Sequence, residues 1–235
     1  MTVSPVATRE PAWSDIVIWF ETIDEIVRGL GHALNNRALA LGATIESLDP
    51  KRPVGQQLTG GLVREAERLT EQLRQLRSLP FAVAREPMPL LLRDVLAAAI
   101  QLHRTHASLG GIPVYLEGSA DAAPVLVPES SMIHAVLVTL SALKAFVAPG
   151  GVVRVSYGGT DERAEVAFVA ERDPSDVHVG SSAAALMPPT ALAVALLGGA
   201  GLETEQRIGP ESARATWELP SLRETRRRQR AGMSE

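Results

Sequence analysis

Gly29-Leu30-Gly31-His32-Ala33-Leu34-Asn35-Asn36-Arg37-Ala38-Leu39 sits at the middle of the first apolar pattern in the chain. It places one imidazole and two carboxamides within about a turn of each other. Working outward, Ile16, Trp19, Ile23, Ile26, Leu30, Leu34, Leu41, Ile45 and Leu48 recur in steps of three, four and once seven. A helix of about 3.6 residues per turn sustains such a stripe for roughly ten turns. Asp49-Pro50 ends it, because a residue before proline is pushed out of the α region. A second helix is expected over Val54–Leu79, with its stripe at Leu58, Leu62, Ala66, Leu69, Leu73 and Leu76. Gly60-Gly61 weakens its first turns by about 1 kcal/mol per glycine relative to alanine. His32 stands about 200° around the first helix from Leu30, off the stripe. Arg28, His32 and Asn36, four residues apart, stack on one outward face.

Two long helices joined by a short turn form an antiparallel hairpin in which each helix has one partner. Part of each stripe then stays uncovered, and pairing of two copies into a four-helix bundle is the expected remedy. The sequence therefore predicts a homodimer.

After Pro80 the pattern changes. Phe81–Pro89 reads as a linker or short strand and Leu90–Leu109 as a helix ended by Gly110-Gly111. Strands are expected at Ile112–Glu117 and Val125–Val127, then a helix over Glu129–Val147. Pro149-Gly150-Gly151 turns into a strand at Val152–Tyr157, and Gly158-Gly159-Thr160-Asp161 is a hairpin signal into Ala164–Val169. A polar loop follows over Glu171–Ser182, then an apolar helix around Thr190–Leu197 and strands at Leu202–Arg207 and Ala213–Leu219. The expected fold class is α+β: a helical hairpin followed by an α/β sandwich with one helical layer on one sheet. The corresponding segments are a flexible N-terminus at 1–12, the hairpin at 13–80, the sandwich at 81–220 and a basic, disordered tail at 221–235.

With 46% hydrophobic and 21% charged residues, the composition is that of an ordinary globular chain. Aromatics are only 4%, so Leu, Val, Ile and Ala must build the core. The absence of cysteine excludes disulfides and thiolate metal sites. Net charge is −4, unevenly spread: residues 221–235 hold five arginines against two glutamates, a net +3, which leaves −7 on the rest. That distribution argues against a general nucleic-acid binder, and the tail is read first as a solvated terminus and second as a contact for an anionic partner. Met1–Pro11 has no apolar run of the secretory kind. Ser181–Leu202 is uncharged, but Pro188-Pro189 leaves a helix too short to cross about 30 Å of hydrocarbon. A cytoplasmic protein without a membrane partner is the expectation.

Gly31-His32-Ala33-Leu34-Asn35-Asn36 resembles the phosphoacceptor box of bacterial histidine kinases of the His-Asp-x-Asn-Asn group. Ala66-Glu67-Arg68-Leu69-Thr70-Glu71-Gln72-Leu73 is similar to that group's second helix, and Ile133–Gly151 resembles the N-box helix of its GHKL (Bergerat) ATPase domain followed by Pro-Gly-Gly. The resemblance covers about residues 13–220 and implies a dimerisation and phosphotransfer hairpin followed by a catalytic-type domain. It also implies where that domain has degenerated. The two N-box asparagines, one of which holds Mg²⁺, fall on Val138 and Ala142. The adenine-reading aspartate falls on Glu171, its following glycine on Asp173, and the phosphate-cradling glycines near Pro189 and Ala191. A proline offers phosphate no N–H donor, and the lost metal ligand leaves triphosphate charge unneutralised. The implied cofactor set is empty, with ATP and Mg²⁺ binding lost. The acidic residue after the phosphoacceptor, the family's base in autophosphorylation, is Ala33.

The resemblance implies His32 as phosphoacceptor and Asn36 as the residue orienting a phosphoryl oxygen or water. Arg28, Asn35 and Arg37 would face the docking partner. Imidazoles titrate near ~6.5 as a class, so a neutral nucleophilic form is abundant at pH 7. The expected partners are receiver domains of response regulators, which bring their own Mg²⁺, and an upstream hybrid kinase. Three readings remain: a histidine phosphotransferase without autokinase activity, a pseudokinase adaptor that transfers nothing, and an active histidine kinase. The bland alternative for His32 itself is a solvated, idle side chain. His103 and His106, three apart, lack companion carboxylates or thiolates at metal spacing, and His134 is expected to cap or pack. Arg64, Glu65, Glu67, Arg68, Glu71 and Arg74 alternate in sign as on a solvated helix face. No hydrolase motif is present.

Overall fold

A computed structural model describes residues 13–48, 51, 55–79, 86–119, 122–148, 150–172, 190–197, 200–209 and 211–232. Expectations for the N-terminal segment, Asp49-Pro50, Phe81–Arg85, Asp173–Ser182 and Pro188-Pro189 lie outside them. The first two helices are α1 (Trp13–Glu46) and α2 (Gln56–Ser78). They pack against each other as the stripes require, and the Arg37–Glu65 ion pair (2.6 Å) ties them at mid-length.

The remaining elements are β1 (Met88–Leu90), α3 (Leu92–His103), β2 (Val114–Gly118), β3 (Val125–Val127), α4 (Glu129–Val147), β4 (Val152–Gly159), β5 (Arg163–Glu171), α5 (Thr190–Leu197), β6 (Glu203–Ile208), β7 (Ser212–Pro220) and α6 (Leu222–Gly232). Five strands form one sheet in the order β2-β4-β5-β7-β6, and β1 pairs with β3 apart from it. Only β2 and β4 run parallel, with Val114 beside Val153; the other neighbours are antiparallel. Alternation along the strands buries Val153, Val155, Val166, Phe168, Ala215 and Trp217 on one face and leaves Arg154, Glu165 and Arg214 on the other. Gly150 (φ 99°) and Gly159 (φ 133°) take left-handed backbone at the two turns the sequence marks.

α4 organises the core. Every residue from Ser131 to Ser141 is buried, because the helix lies between the sheet and α1 and is flanked by α3 and α5. A helix apolar all round needs partners all round. α4 is also long and apolar enough to cross a membrane by length and composition, but 83% of that window is buried inside the fold.

Three expectations need correction. Ile26 and Leu30, both 0% exposed, join the core of the α/β body instead of waiting for a second copy. What α1 leaves open is Phe20 (66% exposed) and Val27 (36%), off the stripe, and Ile45 (57%) near the stripe's C-terminal end. The basic tail is not a frayed terminus over 222–232 but helix α6. Ser221, fully buried, anchors it: its N–H donates to the Glu162 carbonyl (2.8 Å), its hydroxyl to the Asp161 carbonyl (2.5 Å), and the same hydroxyl accepts from the Glu224 N–H (3.2 Å). That is an N-cap. The helix expected to reach Leu109 stops at His103, and 104–112 folds into turns.

Candidate functional site

His32 is exposed on α1, one turn beyond the point where the helix meets the α/β body. Asn35 and Asn36 are exposed beside it. Asn36, four residues on, shares its face, whereas Asn35 lies about 60° to one side. Arg28 shares the face too, but its guanidinium bonds to Asp24 and to Glu25 Oε1 (2.6 Å). Those partners lie toward the helix N-terminus, so the side chain is drawn away from His32. Arg37 is not on this face: it lies about 140° away and is held by Glu65 of α2. Structure thus brings His32, Asn35 and Asn36 together, leaves Arg28 neutralised nearby, and gives Arg37 to the hairpin.

Sequence reasoning missed the contact that holds this face in place. The backbone of Thr105–Ala107 lies directly against Gly29. An added Cβ there would stand 2.9 Å from the Thr105 carbonyl carbon and 3.3 Å from the Ala107 nitrogen, with the Thr105 oxygen nearer still. Ala107 N–H donates to the Glu25 carbonyl (3.1 Å), and the Ser108 hydroxyl donates to Glu25 Oε2 (2.6 Å). The Ser108 bond, with the nearby Arg28 and His106, keeps the Glu25 carboxyl below its ordinary range. The signal available in the sequence was Gly29 itself, a glycine in a helix interior where helix propensity disfavours it.

Behind the contact lies a buried polar cluster. His103 Nε2 is 2.8 Å from Ser141 Oγ, and the His103 and His106 rings stack with centroids 5.0 Å apart. Lys144, 0% exposed, donates to the Leu109 carbonyl (3.1 Å). Burial holds the His103 imidazole well below its ordinary value, helped by the charges of Lys144 and His106. Burial likewise lowers His106, while Glu25 pulls it back. Lys144 is pushed down to about 8 by burial and then by Arg104. Among the described residues no three His, Cys, Asp or Glu side chains are placed to hold a metal ion.

The face of α4 on which the resemblance puts a nucleotide's metal ligand is apolar and covered. Val138 is 1% exposed, and His134, one turn before it, packs its ring on Trp19 of α1 (3.8 Å between centroids). Glu171, at the end of β5, faces Arg154 (3.5 Å). Neither a buried valine nor a tryptophan–imidazole contact offers Mg²⁺ an oxygen ligand, so these residues do not fit the group. Pro189 lies outside the described residues.

No protein-family model matches the sequence, and no curated protein matches it. Among solved structures, the chain is similar to the catalytic domain of histidine kinase ThkA, at 9% identity and a TM-score of 0.47, over 58% of this chain and 98% of that one. It is also similar to histidine kinase ThkA in complex with the response regulator TrrA (11%, TM-score 0.46, 85% of this chain and 62% of that one). A third, described as a bacterial phosphotransferase, matches at 16% identity and a TM-score of 0.43, over 92% of this chain and all of that one.

Proposed function

We propose that this protein is a histidine phosphotransferase of a two-component phosphorelay. It takes a phosphoryl group from the aspartate of one receiver domain onto His32 and passes it to another without using ATP. The observation that carries the reading is the pairing of an exposed His32–Asn36 face with an α4 face closed by Val138 and by Trp19 on His134. The first is open to a docking protein, and at the second neither Val138 nor the Trp19–His134 contact offers a metal–triphosphate an oxygen ligand.

In the transfer, a ring nitrogen of neutral His32 attacks phosphorus in line. The N–P bond forms as the P–O bond to the aspartate breaks, and the carboxylate departs with the electron pair. The Mg²⁺ that screens the phosphoryl oxygens belongs to the receiver. Asn36 is within one turn to donate an amide N–H to a phosphoryl oxygen. Positioning and charge stabilisation supply the catalysis. The exposed Phe20–Val27 face serves pairing of two copies, which would set two His32 side chains on one bundle.

A second reading, an adaptor that binds a kinase or regulator and transfers nothing, is favoured by one observation: Asp24 and Glu25 neutralise Arg28, the cation nearest His32 along the face. Incubation with a phosphorylated receiver and, separately, with labelled ATP distinguishes the readings. Label on the wild type from the receiver, none from ATP and none on His32→Ala supports phosphotransfer. No label from either source supports the adaptor. Label from ATP overturns both.

A further inference from the structure

The structure holds a second open site, beside α6, that shares no residue with the His32 face or with α4. α6 turns Arg223, Arg226, Arg227 and Arg230 toward a cavity of about 800 Å³ whose other walls are Ala122, Ala123, Pro124, Asp161 and Leu222. Spacings of three, four and seven put all four guanidiniums on one helix face, about 100° wide. Against them the lining offers one carboxylate, a net formal charge of +3. Like charges one turn apart oppose helix formation, so an anion lying across this stripe would be favoured.

The scaffold is fixed even though the charge is not. Leu222 N–H donates to the Pro124 carbonyl (2.7 Å), and Ser221 bonds the β4–β5 turn. The helix is therefore docked at its first turn between two walls of the cavity. Two of the arginines are held by exposed or long ion pairs: Arg223 reaches Asp161 (2.7 Å) with both side chains more than three-quarters exposed, and Arg227 stands 3.8 Å from Glu162 and 3.9 Å from Glu224. Such exposed pairs exchange readily for a stronger anion. Guanidinium forks match phosphate oxygens two at a time and also stack on planar rings. The apolar floor of Ala122, Ala123, Pro124 and Leu222 suits a flat heterocycle. At about 800 Å³ the cavity falls within the usual range for small ligands, roughly 300–1,000 Å³. The rest of the chain carries −7, which repels an extended polyanion but not a compact one.

We infer that this groove binds a small phosphorylated ligand of the nucleotide class, its phosphates on the α6 arginines and its base on the floor beside Leu222.

Calorimetric titration of the full chain with ADP, GDP and inorganic pyrophosphate at low salt tests it. At least one nucleotide should bind more tightly than pyrophosphate. Arg226→Ala with Arg230→Ala should weaken that binding about 100-fold with the helical signal retained. The double lysine variant, which keeps charge but loses the fork, should weaken it about tenfold. Asp161→Asn, which removes the one carboxylate in the lining, should tighten it several-fold. Nucleotide binding that survives in the double alanine variant overturns the assignment by placing the ligand elsewhere. So does equal affinity for pyrophosphate, which would leave the floor without a role, and so does no binding of any probe at millimolar concentration.

Discussion

Replacing Gly29 with alanine separates a docked helix from a free one. In a solvated helix interior, alanine is favoured over glycine by about 1 kcal/mol. Gly42, in the same helix, meets that condition: nothing lies within 4 Å of an added Cβ. Gly42→Ala should therefore raise the unfolding free energy by about 0.5–1 kcal/mol. At Gly29 the new methyl would meet only backbone, the Thr105 carbonyl and the Ala107 nitrogen, and backbone cannot swing aside as a side-chain tip can. Overpacking of this kind costs about 1–3 kcal/mol, which outweighs the propensity gain and leaves a net loss of up to about 2 kcal/mol. The two substitutions are chemically identical and should carry opposite signs. Urea denaturation gives the free energies. Hydrogen exchange adds a local reading, since withdrawal of the loop would strip the Ala107 amide of the Glu25 carbonyl (3.1 Å). If Gly29→Ala stabilises as Gly42→Ala does, with Ala107 protection unchanged, α1 is not seated on the 105–107 backbone and the coupling of hairpin to body fails.

Acid should destabilise the fold through its buried histidines. Burial lowers His103 and His106 below 6.5, so the unfolded chain takes up protons first. Stability then falls as pH drops from about 6.5 toward 5, by up to about 1.4 kcal/mol per unit for each histidine. His103→Gln should flatten that slope in pH-dependent urea melts, whereas Glu25 and Glu65, held low by their partners, act only below about 4.5. At the alkaline end the slope has the same sign but another origin. Lys144, at about 8 when folded against 10.5, makes stability rise from pH 8 to 10.5 as folded molecules shed a proton the unfolded chain still holds; Lys144→Met should remove that rise. Trp217, 1% exposed and 4.7 Å from Phe168, is the largest side chain of the sheet's inner face. Trp217→Ala should cost about 3–5 kcal/mol by calorimetry.

Where local breakers bound an element, the sequence was readable. Glu129–Val147, Thr190–Leu197 and Val125–Val127 stand where the apolar runs and flanking breakers put them, because each is bounded by prolines, glycines or charges that act locally. The α1 stripe was readable as a helix but not as to its partner. Ile23, Ile26 and Leu30 look the same from the sequence whether they meet a second copy or α4. What distinguishes the two is Gly29 and the Thr105–Ala107 turn, which is 76 residues or more distant in the chain. The same limit explains α6. Its arginines predict solvent, whereas the distant Asp161 and Glu162 carbonyls, which bond Ser221, and the Pro124 carbonyl, which accepts from Leu222 N–H, seat it as an ordered helix. At the candidate site, the exposure of His32 and Asn36 followed from their angle on the helix, while the capture of Arg37 by Glu65 needed the register between α1 and α2, which no local pattern supplies.

Trp19 lies on His134 of α4, and Gly29 lies on the turn after α3, so α1 is held at two points ten residues apart, about 15 Å along its axis. His32 is three residues past the second point. A side chain that close to a two-point mount cannot be reoriented by bending the hairpin alone; moving it requires the α1 contacts with α4 and with 105–108 to slip together. Trp19 covers the α4 face at His134, whose ring is buried beneath it, and the apolar, buried Val138 one turn on makes that packing favourable. The α/β body thus fixes the azimuth at which α1 presents His32 and Asn36.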